Sequence, residues 1–242
     1  MDEKKTPIVN RLKDFIMEHY DPLMIILYGS TARGDTDEFS DIDMMVIMDV
    51  ADEEKTAAGI LADTDNIVRD KHIFIRSAAG YYDQKDIPGT MLYSALGEGV
   101  ILYLKPGFDK DARPAKDYED RKRDVIRKDY LEQAGDFFKK AKEALEGSQV
   151  YRCRDFLRFA AVRALKAVFV FKDCHPPRSL DLDELLDASC DLLPGIGQFR
   201  PLIEELNGFC PGGDNQDDIR ECRELADKTG TVLDGIAGLL KE

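Results

Sequence analysis

The chain has 242 residues, 43% of them hydrophobic, which is enough for one large domain or two small ones, and two is the default expectation. Its 48 acidic against 34 basic residues give a formal net charge of -14, which disfavours loose binding to a polyanion through overall field while leaving room for a local basic patch. Five cysteines (Cys153, Cys174, Cys190, Cys210 and Cys222) all fall in the second half without a Cys-x-x-Cys, so spacing and odd number argue against a zinc ribbon, a redox motif or a complete disulfide framework.

Apolar residues Ile8, Leu12, Phe15, Ile16 and Tyr20 recur at helical spacing, and Pro22 lies just past the point where that helix should stop. Residues 23–28 form a compact apolar run ending in Gly29, which suits a buried strand. From Asp41 the pattern alternates strictly, with Ile42, Met44, Val46 and Met48 on one strand face and Asp41 and Asp43 together on the other. A helix is expected over residues 52–68, a strand over 72–76, a short helix over 90–96 and a strand over 100–104.

After Lys105-Pro106-Gly107 a polar stretch runs to Pro114, and the composition shifts to charged, helix-favouring segments. Helices are expected over 118–146 as one long element, 151–171, 181–188, 199–206 and 217–240, connected briefly enough for an antiparallel bundle. The fold class is therefore an α+β N-terminal domain, a mixed sheet flanked by helices, over residues 1–110, followed by an all-α bundle over 115–242. No apolar run approaches the roughly 20 residues of a membrane-spanning helix. The N-terminus leads into an amphipathic pattern and not a signal h-region. A cytoplasmic protein with reduced thiols is the expectation.

The stretch from Tyr28 to Met48, YGSTARGDTDEFSDIDMMVIM, concentrates the chemistry. A strand ending in Gly29-Ser30 before a helix start presents unobstructed backbone N–H groups, with the Ser30 hydroxyl beside them, to a phosphate. Two carboxylates at i and i+2 on a strand, Asp41 and Asp43, point the same way and can share divalent ions; oxygen ligands of this kind suit Mg2+ or Mn2+ over zinc. The order strand, Gly29-Ser30, Ala32-Arg33-Gly34, acidic loop, Ser40-Asp41-Ile42-Asp43, strand resembles the nucleotidyltransferase superfamily of DNA polymerase beta type. The resemblance spans about residues 8–104 and is most specific over 29–46.

That resemblance implies nucleotide binding by Gly29 and Ser30 and metal ligation by Asp41 and Asp43. Arg33 is implied either to meet a phosphate bidentately or to pair with Asp35 or Asp37. It also implies a third carboxylate on a later strand, to complete the metal shell and accept the acceptor's proton. The strand expected there, 69–76, has no acid in its middle. Asp70 lies at its entrance and Asp83 beyond its end, and His72 offers itself as a substitute proton acceptor or an ordinary structural residue.

In the second half, Arg154, Arg158 and Lys166 lie on the polar face of the helix over 151–169, a pattern best read as a solvated face opposite a packed core. With His175-Pro176-Pro177 and the run from Ser179 to Leu186, it resembles a HEPN domain. Some HEPN domains are ribonucleases with an Arg, four to six residues, then His. The histidines here are His19, His72 and His175, and no arginine precedes His175 at that interval, which argues against nuclease activity.

The resemblance implies a metal-dependent enzyme that moves a nucleoside monophosphate from an NTP, with ATP the first choice, to an acceptor hydroxyl with release of pyrophosphate. A small-molecule or protein hydroxyl is favoured over RNA by the acidic surface, and a homodimer through the helical half is expected. The alternative is a nucleotide-binding regulatory module without turnover, of toxin-antitoxin type.

Overall fold

The structure is a computed structural model that describes residues 5–35 and 40–241. The acidic stretch 36–39, with Asp37, lies outside the described residues. The chain divides into two compact units, Met1–Asp117 and Tyr118–Glu242.

The first unit opens with α1 (Thr6–Tyr20), which buries Val9, Leu12 and Ile16 along one stripe. It ends at Asp21, in the left-handed region at φ 47°, and Pro22 cannot extend it. Next come β1 (Met24–Tyr28), the single turn α2 (Gly29–Arg33) and β2 (Ile42–Met48). Then follow α3 (Glu53–Asp63), β3 (Lys71–Ser77), α4 (Ala78–Gln84), α5 (Met91–Glu98) and β4 (Val100–Leu104). Side-chain caps start three of the helices: Asp52 accepts from the Lys55 N–H, Ser77 from Gly80 and Thr90 from Tyr93.

The four strands form one mixed sheet in the order β3-β2-β1-β4. β1 pairs antiparallel with both β2 and β4, whereas β2 and β3 are parallel, so α3 serves as their crossover. One face carries Ile25, Leu27, Ile42, Met44, Val46, Ile73 and Ile75 and packs on Val9, Leu12 and Ile16 of α1 and Ile60 of α3. The other carries Met24, Ile26, Met45 and Ile47 against Tyr81, Leu92 and Ala95 of α4 and α5.

The strict in-out alternation expected from Asp41 onward is therefore not what β2 shows. Ile42, Met44, Val46 and Met48 do share a face, but Met45 and Ile47 are equally buried because helices cover both sides. The helix expected over 52–68 is shorter, ending at Asp63 where Thr64 caps it. α4 was not expected, since seven residues after a strand carry too little periodicity to announce a helix.

In the second unit the long helix expected over 118–146 is present as a continuous helical run with an inserted change of pitch. α6 (Tyr118–Val125) and α7 (Gln133–Glu146) are joined by a π-helical segment, Ile126–Glu132, which buries Ile126 and Tyr130. Hydrogen-bond pitch leaves no mark in the apolar spacing of so short a segment. α8 (Val150–Phe171) is the centre of the bundle, and Ala160, Ala161, Ala164 and Ala167 keep its buried surface low so that α7, α9 and α11 pack on it.

α9 (Leu182–Leu192), a 3-10 turn over Pro194–Phe199, α10 (Arg200–Gly208) and α11 (Gln216–Leu239) complete the unit. Asp181 and Asn215 cap α9 and α11 with their side chains. All five cysteines are free thiols. Among the described residues no helix is long and apolar enough to cross a membrane.

Candidate active site

The antiparallel register of β1 and β2 sets Tyr28 opposite Asp43, so the glycine turn and the second aspartate meet at one end of the sheet. Gly29 has φ 71°, and a Cβ at this position would collide with the Asp43 carboxylate. Conformation and space both demand glycine there. Ser30 is the second residue of α2, and its carbonyl accepts the Gly34 N–H at 2.9 Å and the Asp35 N–H at 3.2 Å, closing the turn.

Thr31, fully buried, donates its hydroxyl to the Asp41 carbonyl at 3.0 Å and pins this turn to the start of β2. Its role was not legible in the sequence, because a five-residue helix has no periodicity to mark its buried side. Arg33 is an ion-pair residue in this structure: Nε lies 3.1 Å from Asp35 Oδ2 and a terminal nitrogen 3.3 Å from Glu98 Oε2. Of the two partners expected from sequence, Asp35 is present and Asp37 lies outside the described residues.

The parallel register of β2 and β3 sets His72 directly beside Asp43. Its Nδ1 is 3.1 Å from Asp43 Oδ1 and 3.6 Å from Asp41 Oδ2. Asp41, Asp43 and His72 therefore share one sheet face, and the place beside the aspartates on the later strand belongs to a histidine. Asp70 sits one residue before β3, where its carbonyl accepts the Ile42 N–H at 3.1 Å and its residue is exposed. Asp83 falls in α4, which begins at the opposite end of β3.

Aromatic rings border the carboxylates. Phe74 lies between Tyr28 and His72, 6.3 Å from each ring centre. The Tyr28 hydroxyl donates to the Met91 sulfur at 3.4 Å, and burial together with the Asp43 charge raises its pKa well above the usual tyrosine value, so it stays protonated. At the far end of β3, Glu53 of α3 accepts the Ser77 N–H at 2.8 Å and an Arg76 N–H at 2.7 Å. Burial disfavours the Glu53 carboxylate, but these hydrogen bonds and the Arg76 charge hold its pKa below the usual range.

Among the described residues no group of three or more His, Cys, Asp and Glu side chains forms a ready-made metal cage. The pair Asp41 and Asp43 still fits a divalent ion of the Mg2+ or Mn2+ kind, which is commonly held by one or two carboxylates and completed by water and substrate phosphates.

A mixed sheet whose glycine turn abuts an Asp-x-Asp strand is the framework of a nucleotidyl-transfer domain. Residues 10–106 match the family described as polymerase beta, nucleotidyltransferase, and residues 127–228 match the HEPN domain. The chain thus joins a nucleotidyltransferase-family domain, of the class that uses nucleoside triphosphates for group transfer, to a HEPN domain. A comparison with the curated proteins returned no match.

Two solved structures resemble the chain over most of its length. The spectinomycin adenyltransferase AAD(9) of Enterococcus faecialis, solved with ATP and spectinomycin, is 12% identical, with 93% of this chain and 99% of that one covered and a TM-score of 0.41. A nucleotidyltransferase-like protein of Exiguobacterium sibiricum 255-15 is 11% identical, with 95% and 73% covered and a TM-score of 0.43.

Proposed function

We propose that the N-terminal domain transfers a nucleoside monophosphate from an NTP, ATP first, to an acceptor hydroxyl with release of pyrophosphate. The observation that carries this reading is the close approach of Gly29 to Asp43, since a phosphate seated on the turn meets the carboxylates without any intervening side chain. The N–H groups of the Gly29-Ser30 turn and the Ser30 hydroxyl bind and orient the triphosphate. Asp41 and Asp43 hold Mg2+ or Mn2+, which when bound neutralises charge developing on the phosphates. Positioning of the acceptor for in-line attack supplies the remainder of the catalysis.

A small-molecule or protein hydroxyl suits the acidic chain better than RNA as acceptor, because a net charge of -14 repels a polyanion. The helical domain serves as a homodimerisation element, and the protein is cytoplasmic in this reading. Incubation with α-labelled ATP, GTP, CTP and UTP plus metal should label an acceptor or the protein itself. Replacing Asp41 and Asp43 together by Ala should lower transfer by about 10²-fold or more. Undiminished transfer in that double variant would sink the assignment.

One observation favours a second reading, a regulatory module of toxin-antitoxin type that binds nucleotide without turnover. His72 stands where a carboxylate would complete the site. Metal-dependent thermal stabilisation by NTP with no transfer across a broad acceptor panel is the outcome that reading requires.

A further inference from the structure

Away from the nucleotide site, the helical domain carries an aromatic ridge that its core leaves half open. Phe159 of α8 is 41% exposed and packs on Phe137 of α7, with ring centres 5.4 Å apart. Phe156, one turn earlier on α8, lies 6.4 Å from the same Phe137 ring. Single exposed apolar side chains are ordinary, but three phenylalanines in mutual contact on one face have the make-up of an interface centre.

Beside the ridge is a hollow. Gln133, Asp136, Phe137 and Lys140, a stripe at helical spacing along α7, line an open cavity of about 130 Å³. Phe137 belongs to both features, so knob and hollow lie side by side, an arrangement in which one twofold axis seats each molecule's knob in the other's hollow. The charges agree with the same axis. Asp136 and Lys140 stand one turn apart, and among the described residues neither forms an ion pair; the Lys140 amine instead lies over the Phe137 ring, 5.5 Å from its centre. Two α7 helices crossing antiparallel about an axis between these positions set Asp136 of each against the partner's Lys140, whereas a parallel crossing opposes like charges.

We infer that a second copy of this chain docks on this face, through an isologous contact of α7 and α8 in which Phe159 fills the other copy's hollow and Asp136 pairs with the partner's Lys140. This rests on the reading of the helical domain as a homodimerisation element and names the face that it uses.

The test is the dimer dissociation constant of the full chain, measured by sedimentation equilibrium. The wild type should be a dimer at micromolar concentration, and Phe159→Asp should weaken it by roughly tenfold or more. Asp136→Lys and Lys140→Asp, each alone, set like charges against each other twice per dimer and should weaken it by about tenfold. Combined, they reverse both charges and should restore the wild-type constant, which damage to the helix surface would not do. Circular dichroism checks folding, and the charge variants decide the matter even where Phe159→Asp fails to fold. A double variant that does not recover the dimer overturns the antiparallel contact. A dissociation constant unchanged in every variant overturns this face and leaves homodimerisation standing, whereas a wild-type chain still monomeric at about 0.1 mM overturns both.

Discussion

Gly29 is the residue on which the site turns, because its backbone conformation and its contact with Asp43 both exclude a side chain. Gly29→Ala should destabilise the N-terminal unit by about 1–3 kcal/mol in denaturant titrations, from a strained left-handed backbone and a displaced carboxylate. NTP binding should fall further than stability alone accounts for. Thr31 acts one step back. Thr31→Val removes the hydroxyl bond to the Asp41 carbonyl while keeping the volume, and should cost about 0.5–1.5 kcal/mol by the same titration. Gly29 and the aspartates were legible in the sequence because residue type and spacing announce them. Thr31 and the Arg33 pair with Glu98, 65 positions apart, were not, since no local pattern encodes them.

At the scale of elements, the join between α3 and the end of β3 depends on Glu53. Its pKa is held below the usual carboxylate value of about 4.3, so its contribution to stability is fully present above that value and fades as the pH falls through the lower, folded-state value. Glu53→Gln should therefore lower stability near neutral pH by about 1–2 kcal/mol and flatten the acid limb of a pH–stability curve. An unchanged acid limb would remove Glu53 from that account. In the bundle, a Cβ at Gly235 of α11 would run into the Phe199 ring of the 3-10 turn. Gly235→Ala should cost about 1–3 kcal/mol by overpacking, although alanine is the better helix former, and a gain in melting temperature would contradict that contact.

For the whole molecule, the two units have separate cores, and a core change in one should be felt there. Leu157, fully buried at the centre of α8, is the probe: Leu157→Ala should cost about 2–5 kcal/mol and lower only the calorimetric transition of the C-terminal unit. A common shift of all transitions would show that the units unfold as one. The sequence by itself determined the four strands and the longer helices, the glycine turn, the Asp-x-Asp strand and the change from a mixed sheet to helices, because these depend on residue type and on periods of two and 3.6. Only the tertiary structure decided that β2 is buried on both faces, that a π segment interrupts the long helix, and that His72 stands beside Asp43. Each depends on which strand or helix lies next to another, and strand register, fixed by packing across the whole sheet, is not written in any one strand.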